Sequence, residues 1–387
     1  MEIIRRHVVA GMLASGLPLA EGTAMTTAPA PGAPAPGPAS PAYAAVALQL
    51  TARSVERAAD RAAARAIMAE TIASIGPKLR SAAGFIAGYT GSPVRLAVLP
   101  EYLFTSYPTR EGISAFADKA AIAPDGPEYE ALGRIASEQK LFLAGNAYET
   151  DRHFPGLYFQ ASFVIAPSGN VVLRYRRLNS MFAPTPHDVW SKYLDIYGLD
   201  GVFPVARTEI GNLAAIASEE ILYPEIARAH AFRGAELFVH SSSEIGSPME
   251  TNKDLAKRAR AYENLAYVVS ANTAGISGTA LPLESADGKS SVIDFKGNVL
   301  AQSNSGETFT AFADIDLGAL RAHRRKPGMI NYLARQRTEL FAPVYAAARG
   351  QRANSLMDGD QVRVPERDHF SRVHAETIER LAKDGLI

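Results

Sequence analysis

The sequence predicts a layered α/β protein, and three observations carry that expectation. Short apolar runs of strand length alternate along the chain with longer stretches whose apolar residues recur at helical spacing. Two pairs of such runs are joined by Gly-Asn turns, the chemistry of tight hairpins. The chain has 387 residues with 47% hydrophobic and 21% charged content, enough for one large buried core.

Taken in order, residues 44–50 form an apolar run suited to a buried strand, and 55–75 then carry apolar residues at helical spacing with arginines between them. Residues 96–99 read as a second buried strand ending at Pro100 and Glu101, 128–139 as a helix and 142–148 as a strand. Residues 162–165 and 171–175 flank Pro167-Ser168-Gly169-Asn170, a hairpin turn in which glycine and asparagine tolerate positive φ. A strand over 213–217, a helix over 224–233 and a strand over 236–240 repeat the strand-helix-strand unit. A helix over 253–264 and a strand over 266–272 follow, and a hairpin over 290–294 and 299–302 turns at Lys296-Gly297-Asn298. Strands separated by helices of this length stack in layers. Beyond 345 the chain turns polar, so 346–387 reads as a C-terminal tail or arm.

Composition narrows the partners. Forty basic residues balance forty acidic ones, which argues against a nucleic acid or a strongly basic membrane-binding surface and favours a small-molecule ligand. The chain has no cysteine, so disulfides, thiolate nucleophiles and zinc-thiolate sites are excluded. Residues 1–24 have the plan of an export signal: Arg5 and Arg6 precede an uncharged apolar stretch from Val8 to Ala20, followed by small residues. At about 13 residues the stretch is too short to span a bilayer. The paired arginines resemble a twin-arginine signal, so the expected location is periplasmic, with a cytoplasmic protein as the alternative. Residues 25–42, rich in alanine and proline, read as an extended linker, and the folded domain is expected over 43–345.

Three segments offer chemistry. Glu101 follows a buried strand, at the sheet edge where α/β folds bind ligands. A strand runs into Arg174, Arg176 and Arg177, which read equally as a solvated basic strand end. The strand over 213–217 ends at Ser218, exposed on an elbow as nucleophiles often are, or placed there as a cap.

The order of these segments, together with Tyr223-Pro224-Glu225-Ile226-Ala227-Arg228, Arg233-Gly234-Ala235-Glu236, Arg260-Ala261-Tyr262-Glu263-Asn264 and the late Gly-Lys-Ser-Ser-Val-Ile-Asp-Phe-Lys-Gly-Asn hairpin, resembles the nitrilase superfamily of carbon-nitrogen hydrolases. The resemblance implies a four-layer α-β-β-α sandwich that pairs through its helices, hence a homo-oligomer. It places the family's catalytic glutamate on Glu101, its lysine on Arg177 and its cysteine on Ser218. A further family glutamate falls near Asp188, and Lys192 is a candidate displaced lysine. Glu219 and Glu220 are possible additional site residues, and Tyr102, Tyr107, Trp190 and His240 are expected to line the pocket. The implied activity is hydrolysis of an amide or nitrile-like small molecule without a cofactor, by a divergent site. A non-catalytic ligand-binding protein and a divalent-metal site built from Glu101, Asp188, Glu220 and His187 are the alternatives.

Overall fold

The computed structural model describes residues 41–108, 111–247, 249–286, 288–348 and 350–387. The export signal expected over 1–24, and the linker over 25–42 apart from Pro41 and Ala42, lie outside the described residues.

The first half of the domain contains β1 (Tyr43–Ala47), β2 (Thr51–Arg53), α1 (Arg61–Thr90), β3 (Val94–Val98), α2 (Ile113–Ala120), α3 (Pro127–Gln139), β4 (Phe142–Thr150), β5 (Tyr158–Ile165) and β6 (Val171–Arg176). The second contains α4 (Trp190–Val202), β7 (Ala206–Thr208), β8 (Gly211–Ala217), α5 (Pro224–Phe232), β9 (Leu237–Ser242), α6 (Asn252–Asn264), β10 (Tyr267–Asn272), β11 (Gly275–Ser277), β12 (Ser291–Ile293), β13 (Val299–Gln302), β14 (Phe312–Ile315) and α7 (Leu317–Arg325). After these come α8 (Thr338–Ala347), a short hairpin of β15 (Met357–Asp358) and β16 (Gln361–Val362), and α9 (His369–Lys383).

Two six-stranded sheets form, ordered β14-β1-β3-β4-β5-β6 and β13-β12-β10-β9-β8-β7. Within each, the central strands run parallel and the edges antiparallel. The buried runs of β1 explain the layering: Ala44 and Val46 join the core under α1, while Tyr43, Ala45 and Ala47 face the second sheet. A strand with both faces buried reads as a continuous apolar run, which is how β1, β3 and β8 stand in the sequence. The α1, α2 and α3 helices cover the outer face of the first sheet and α5 and α6 that of the second, completing the α-β-β-α sandwich.

Two expectations need correction. The first helix begins at Arg61, capped by the Asp60 side chain on the Ala63 N–H, and runs through Pro77 to Thr90, because its buried stripe of Met68, Ile72, Ile75, Leu79 and Ile86 continues past the proline. Tertiary burial outweighs the one backbone hydrogen bond that Pro77 removes. The segment expected as a tail or arm is no free tail: Leu356 and Phe370 are buried in the first core, and Leu356 N–H donates to the Asp188 carbonyl at 2.9 Å.

Candidate active site

Ser218 follows β8, buried and not exposed as expected, and its backbone turns into the left-handed region at φ 50° as a short helical turn, Ser218–Leu222, begins. A non-glycine residue held there costs about 1–2 kcal/mol, so the surroundings must hold it. His240, on the adjacent β9, does so: its Nε2 lies 2.8 Å from the Ser218 carbonyl oxygen and its Nδ1 2.8 Å from Ser270 Oγ. A carbonyl only accepts, so Nε2 carries the proton and Nδ1 accepts from Ser270. Burial, reinforced by Lys257, pushes the imidazole down to about 3 and keeps it neutral. His240 therefore supports the elbow from behind; the expectation that it lines the pocket is corrected, because its ring is fully buried.

Glu101 sits just beyond β3, its N–H donating to the Ser242 carbonyl across the two sheets at 3.3 Å. Its buried carboxylate accepts from Gln160 Nε2 at 2.6 Å and lies 3.6 Å from Arg177 Nη1. Arg177, which follows β6, donates from Nε to the Asn179 carbonyl at 2.6 Å, from Nη1 to Gln160 Oε1 at 2.8 Å, and from Nη2 to Glu219. Gln160 thus joins carboxylate and guanidinium, donating to one and accepting from the other. Burial alone would weaken the guanidinium as a base, but the Glu101, Glu219 and Glu220 carboxylates hold its proton more tightly than usual.

Lys253 completes the cluster and was missed in the sequence. A reciprocal capping box between Thr251 and Asp254 starts α6 and directs the Lys253 side chain inward. Its Nζ lies 3.5 Å from Ser218 Oγ and 3.4 Å from Ser242 Oγ. Burial pushes its pKa below the usual lysine value against the pull of Glu101, Glu244 and Glu219, with Lys257 adding to the depression. The available signal was the Thr-x-x-Asp start of a helix just after a parallel strand, at the sheet end where ligands bind.

These groups share a cavity of about 820 Å³, with Tyr102 and Tyr107 on its wall and Arg367 reaching it from the C-terminal segment. Arg367 also donates to the Pro108 and Glu111 carbonyls, at 3.2 and 3.4 Å.

Other expected members lie elsewhere. Asp188 caps Thr185, accepting from its N–H at 2.9 Å and its Oγ1 at 2.7 Å, and accepts from Ser355 Oγ at 2.7 Å. It lines a neighbouring cavity of about 400 Å³ with Trp190 and His187, because the loop after β6 carries them away from Ser218. Lys192, on α4, places its ammonium 5.7 Å from the Phe154 ring centre and does not replace the family lysine. Glu220 is buried beneath the site, accepting from Tyr175 Oη at 2.7 Å and from the Leu178 and Asn179 N–H groups at 2.7 and 2.9 Å. Burial raises its pKa although Arg177 and these donors oppose it. With Asp188 and Glu220 so occupied, the alternative of a metal site built from Glu101, Asp188, Glu220 and His187 finds no support, and among the described residues no group of three or more His, Asp or Glu has metal-holding geometry.

Comparison with known proteins agrees with the fold. The carbon-nitrogen hydrolase family model matches residues 45–325. The formamidase of Helicobacter acinonychis is 27% identical over 238 residues, 59% of this chain and 65% of that protein. The formamidase of Bacillus thuringiensis is 28% identical over 228 residues, 58% of this chain and 63% of that one. The chain thus spans just under two thirds of the length of these relatives. A carbon-nitrogen hydrolase from Helicobacter pylori superposes with a TM-score of 0.58 at 20% identity, covering 78% of this chain and 98% of that one. An amidase from Nesterenkonia, solved with acrylamide added to its active site cysteine, superposes at 0.53 with 19% identity, covering 78% and 99%. This chain has no cysteine to match it. With the family model matching residues 45–325, well over half of the chain, the chain belongs to the carbon-nitrogen hydrolase family.

Proposed function

We propose that the protein hydrolyses the carbon–nitrogen bond of a small amide, with Ser218 as the nucleophile. The observation that carries this reading is convergence: an alcohol on a strained elbow shares one cavity with a buried carboxylate, a guanidinium and a lysine amine. Family membership supports the reaction class. Ser218 Oγ would bond to the carbonyl carbon, the amine would leave with a proton, and water would hydrolyse the resulting ester. Arg177 would supply fixed positive charge as negative charge develops.

The alcohol sets a harder proton step than a thiol. A thiol and a carboxylate differ by about four pK units, or about 6 kcal/mol. With water's pKa of about 15.7 standing in for the alcohol, the gap to a carboxylate is about eleven units, or about 15 kcal/mol. Two groups in the cavity can receive the hydroxyl proton, the Glu101 carboxylate and the Lys253 amine.

A second reading, a ligand-binding protein without turnover, draws support from Arg177, whose Nε, Nη1 and Nη2 already donate to Asn179, Gln160 and Glu219. The two part on a panel of short amides and nitriles. Steady turnover lost on Ser218→Ala supports hydrolysis; tight binding without turnover, lost on Arg177→Ala, supports the second. We also propose that the protein is exported and self-associates, to be checked by cell fractionation and sedimentation.

A further inference from the structure

Resting on the hydrolase reading, we propose that Lys253 is the general base of this site, taking the Ser218 hydroxyl proton as Oγ bonds to the substrate carbon. Geometry separates it from Glu101. One oxygen of the Glu101 carboxylate accepts from Gln160 at 2.6 Å and faces Arg177 at 3.6 Å, whereas the side-chain partner of the Ser218 hydroxyl is Lys253 Nζ, at 3.5 Å. Ser242 Oγ, 3.4 Å from the same nitrogen, steadies the amine from β9. Chemistry favours it too: an alcohol lies about five pK units from an ordinary lysine amine and about eleven from a carboxylate, and the lowered pKa of Lys253 widens the first gap while making the neutral amine more available.

The surroundings act on Lys253 from every side. Glu101 faces it from beyond β3, Glu219 from the turn after β8 and Glu244 from the segment after β9, and all three favour the charged amine. Burial and Lys257, one turn along α6, favour the neutral form and outweigh them, so the pKa lies below the usual lysine value. Lys257 is itself paired with Asp254 at 3.1 Å and Glu244 at 3.8 Å. In the reaction the Oγ–carbon bond forms as the hydroxyl proton passes to neutral Nζ. The carbon–nitrogen bond then breaks as Nζ returns that proton to the departing nitrogen. Water repeats the cycle on the ester, releasing the acid and free Ser218.

A fluorophosphonate probe tests this without a known substrate, because Oγ displaces fluoride from phosphorus and the same base must take the proton. Labelling at Ser218, read by peptide mass spectrometry, is expected to rise with pH, with its midpoint below the ordinary lysine value of about 10.4. Lys253→Met is expected to slow it on the order of 10²-fold or more. Lys253→Arg, which keeps the charge and cannot deprotonate, is expected to be equally slow, which separates proton transfer from a structural or purely electrostatic role. Circular dichroism of both variants should match the parent. If Lys253→Met labels within a few-fold of the parent and Glu101→Gln does not label, the base is Glu101 and the hydrolase reading stands. A parent protein that neither labels at any pH nor turns over an amide overturns both.

Discussion

Arg176 and Arg177 leave the same end of the first sheet and meet different surroundings. Arg176 pairs with Asp151 at 2.5 Å and lies against the rings of Phe159, Tyr193 and Tyr197, with its guanidinium carbon 4.9, 5.7 and 5.0 Å from their centres. Arg177 meets Glu101, Gln160 and Glu219 at the edge of the cavity. Both guanidiniums have carboxylate partners, Arg176 buried and Arg177 half-buried. The difference is access: aromatic rings seal one charge, and the other borders a space that a ligand can enter. Perturbed, paired charge by itself marks neither structure nor function; the open cavity beside it does.

Removing the sealed arginine should have the largest effect on stability. Arg176→Ala leaves Asp151 without its buried partner and is expected to cost about 3–5 kcal/mol in urea unfolding, with the turnover of the remaining folded protein intact. Arg177→Ala should invert that pattern. Water in the cavity can solvate Glu101, so the stability cost should be smaller, while kcat/KM on whichever amide is turned over falls on the order of 10²-fold. Equal stability losses with unchanged kinetics would erase the distinction between the two arginines.

Acid should expose the sealed groups in turn. Asp151 is held below the usual carboxylate range: burial alone would raise it, but Arg176, the Tyr197 hydroxyl and the His153 N–H outweigh burial. Its contribution is present above its unfolded pKa of about 3.9 and is lost as pH falls through the lower folded value. His230 and His240, both pushed down to about 3 and mainly by burial, act earlier. Between about 6.5 and 3 the unfolded chain binds protons that the folded protein refuses, so stability declines as pH falls through that window. His240→Gln should flatten the unfolding free energy against pH there by up to about 1.4 kcal/mol per pH unit; an unchanged slope would mean that His240 is not buried neutral. The smallest effect is expected at the exposed pair of Arg53 and Glu70, 3.0 Å apart, where Glu70→Ala should cost under about 1 kcal/mol.

The layered fold was legible because burying both faces of a strand demands consecutive apolar residues, as in Ala44, Ala45, Val46 and Ala47, while α1 keeps helical spacing. Part of the site was legible for a related reason. Glu101 and Ser218 each end an apolar run, and a polar residue at that point lies at the rim of the sheet. Trp190, Asp188 and Lys192 misled because nearness in sequence to Arg177 does not survive the turn into α4, which carries them to a different cavity and ring system.

What the sequence determined alone was therefore local: which runs are strands, which residues end them, and the absence of any thiol. Tertiary structure decided which ends meet. Lys253 reaches Ser218 across 35 residues, and Asp188 is claimed by Ser355 across 167. The first pair meets because β8 and β9 are neighbours in one sheet, the second because the C-terminal segment packs back on the first core, and no periodicity in one dimension encodes either.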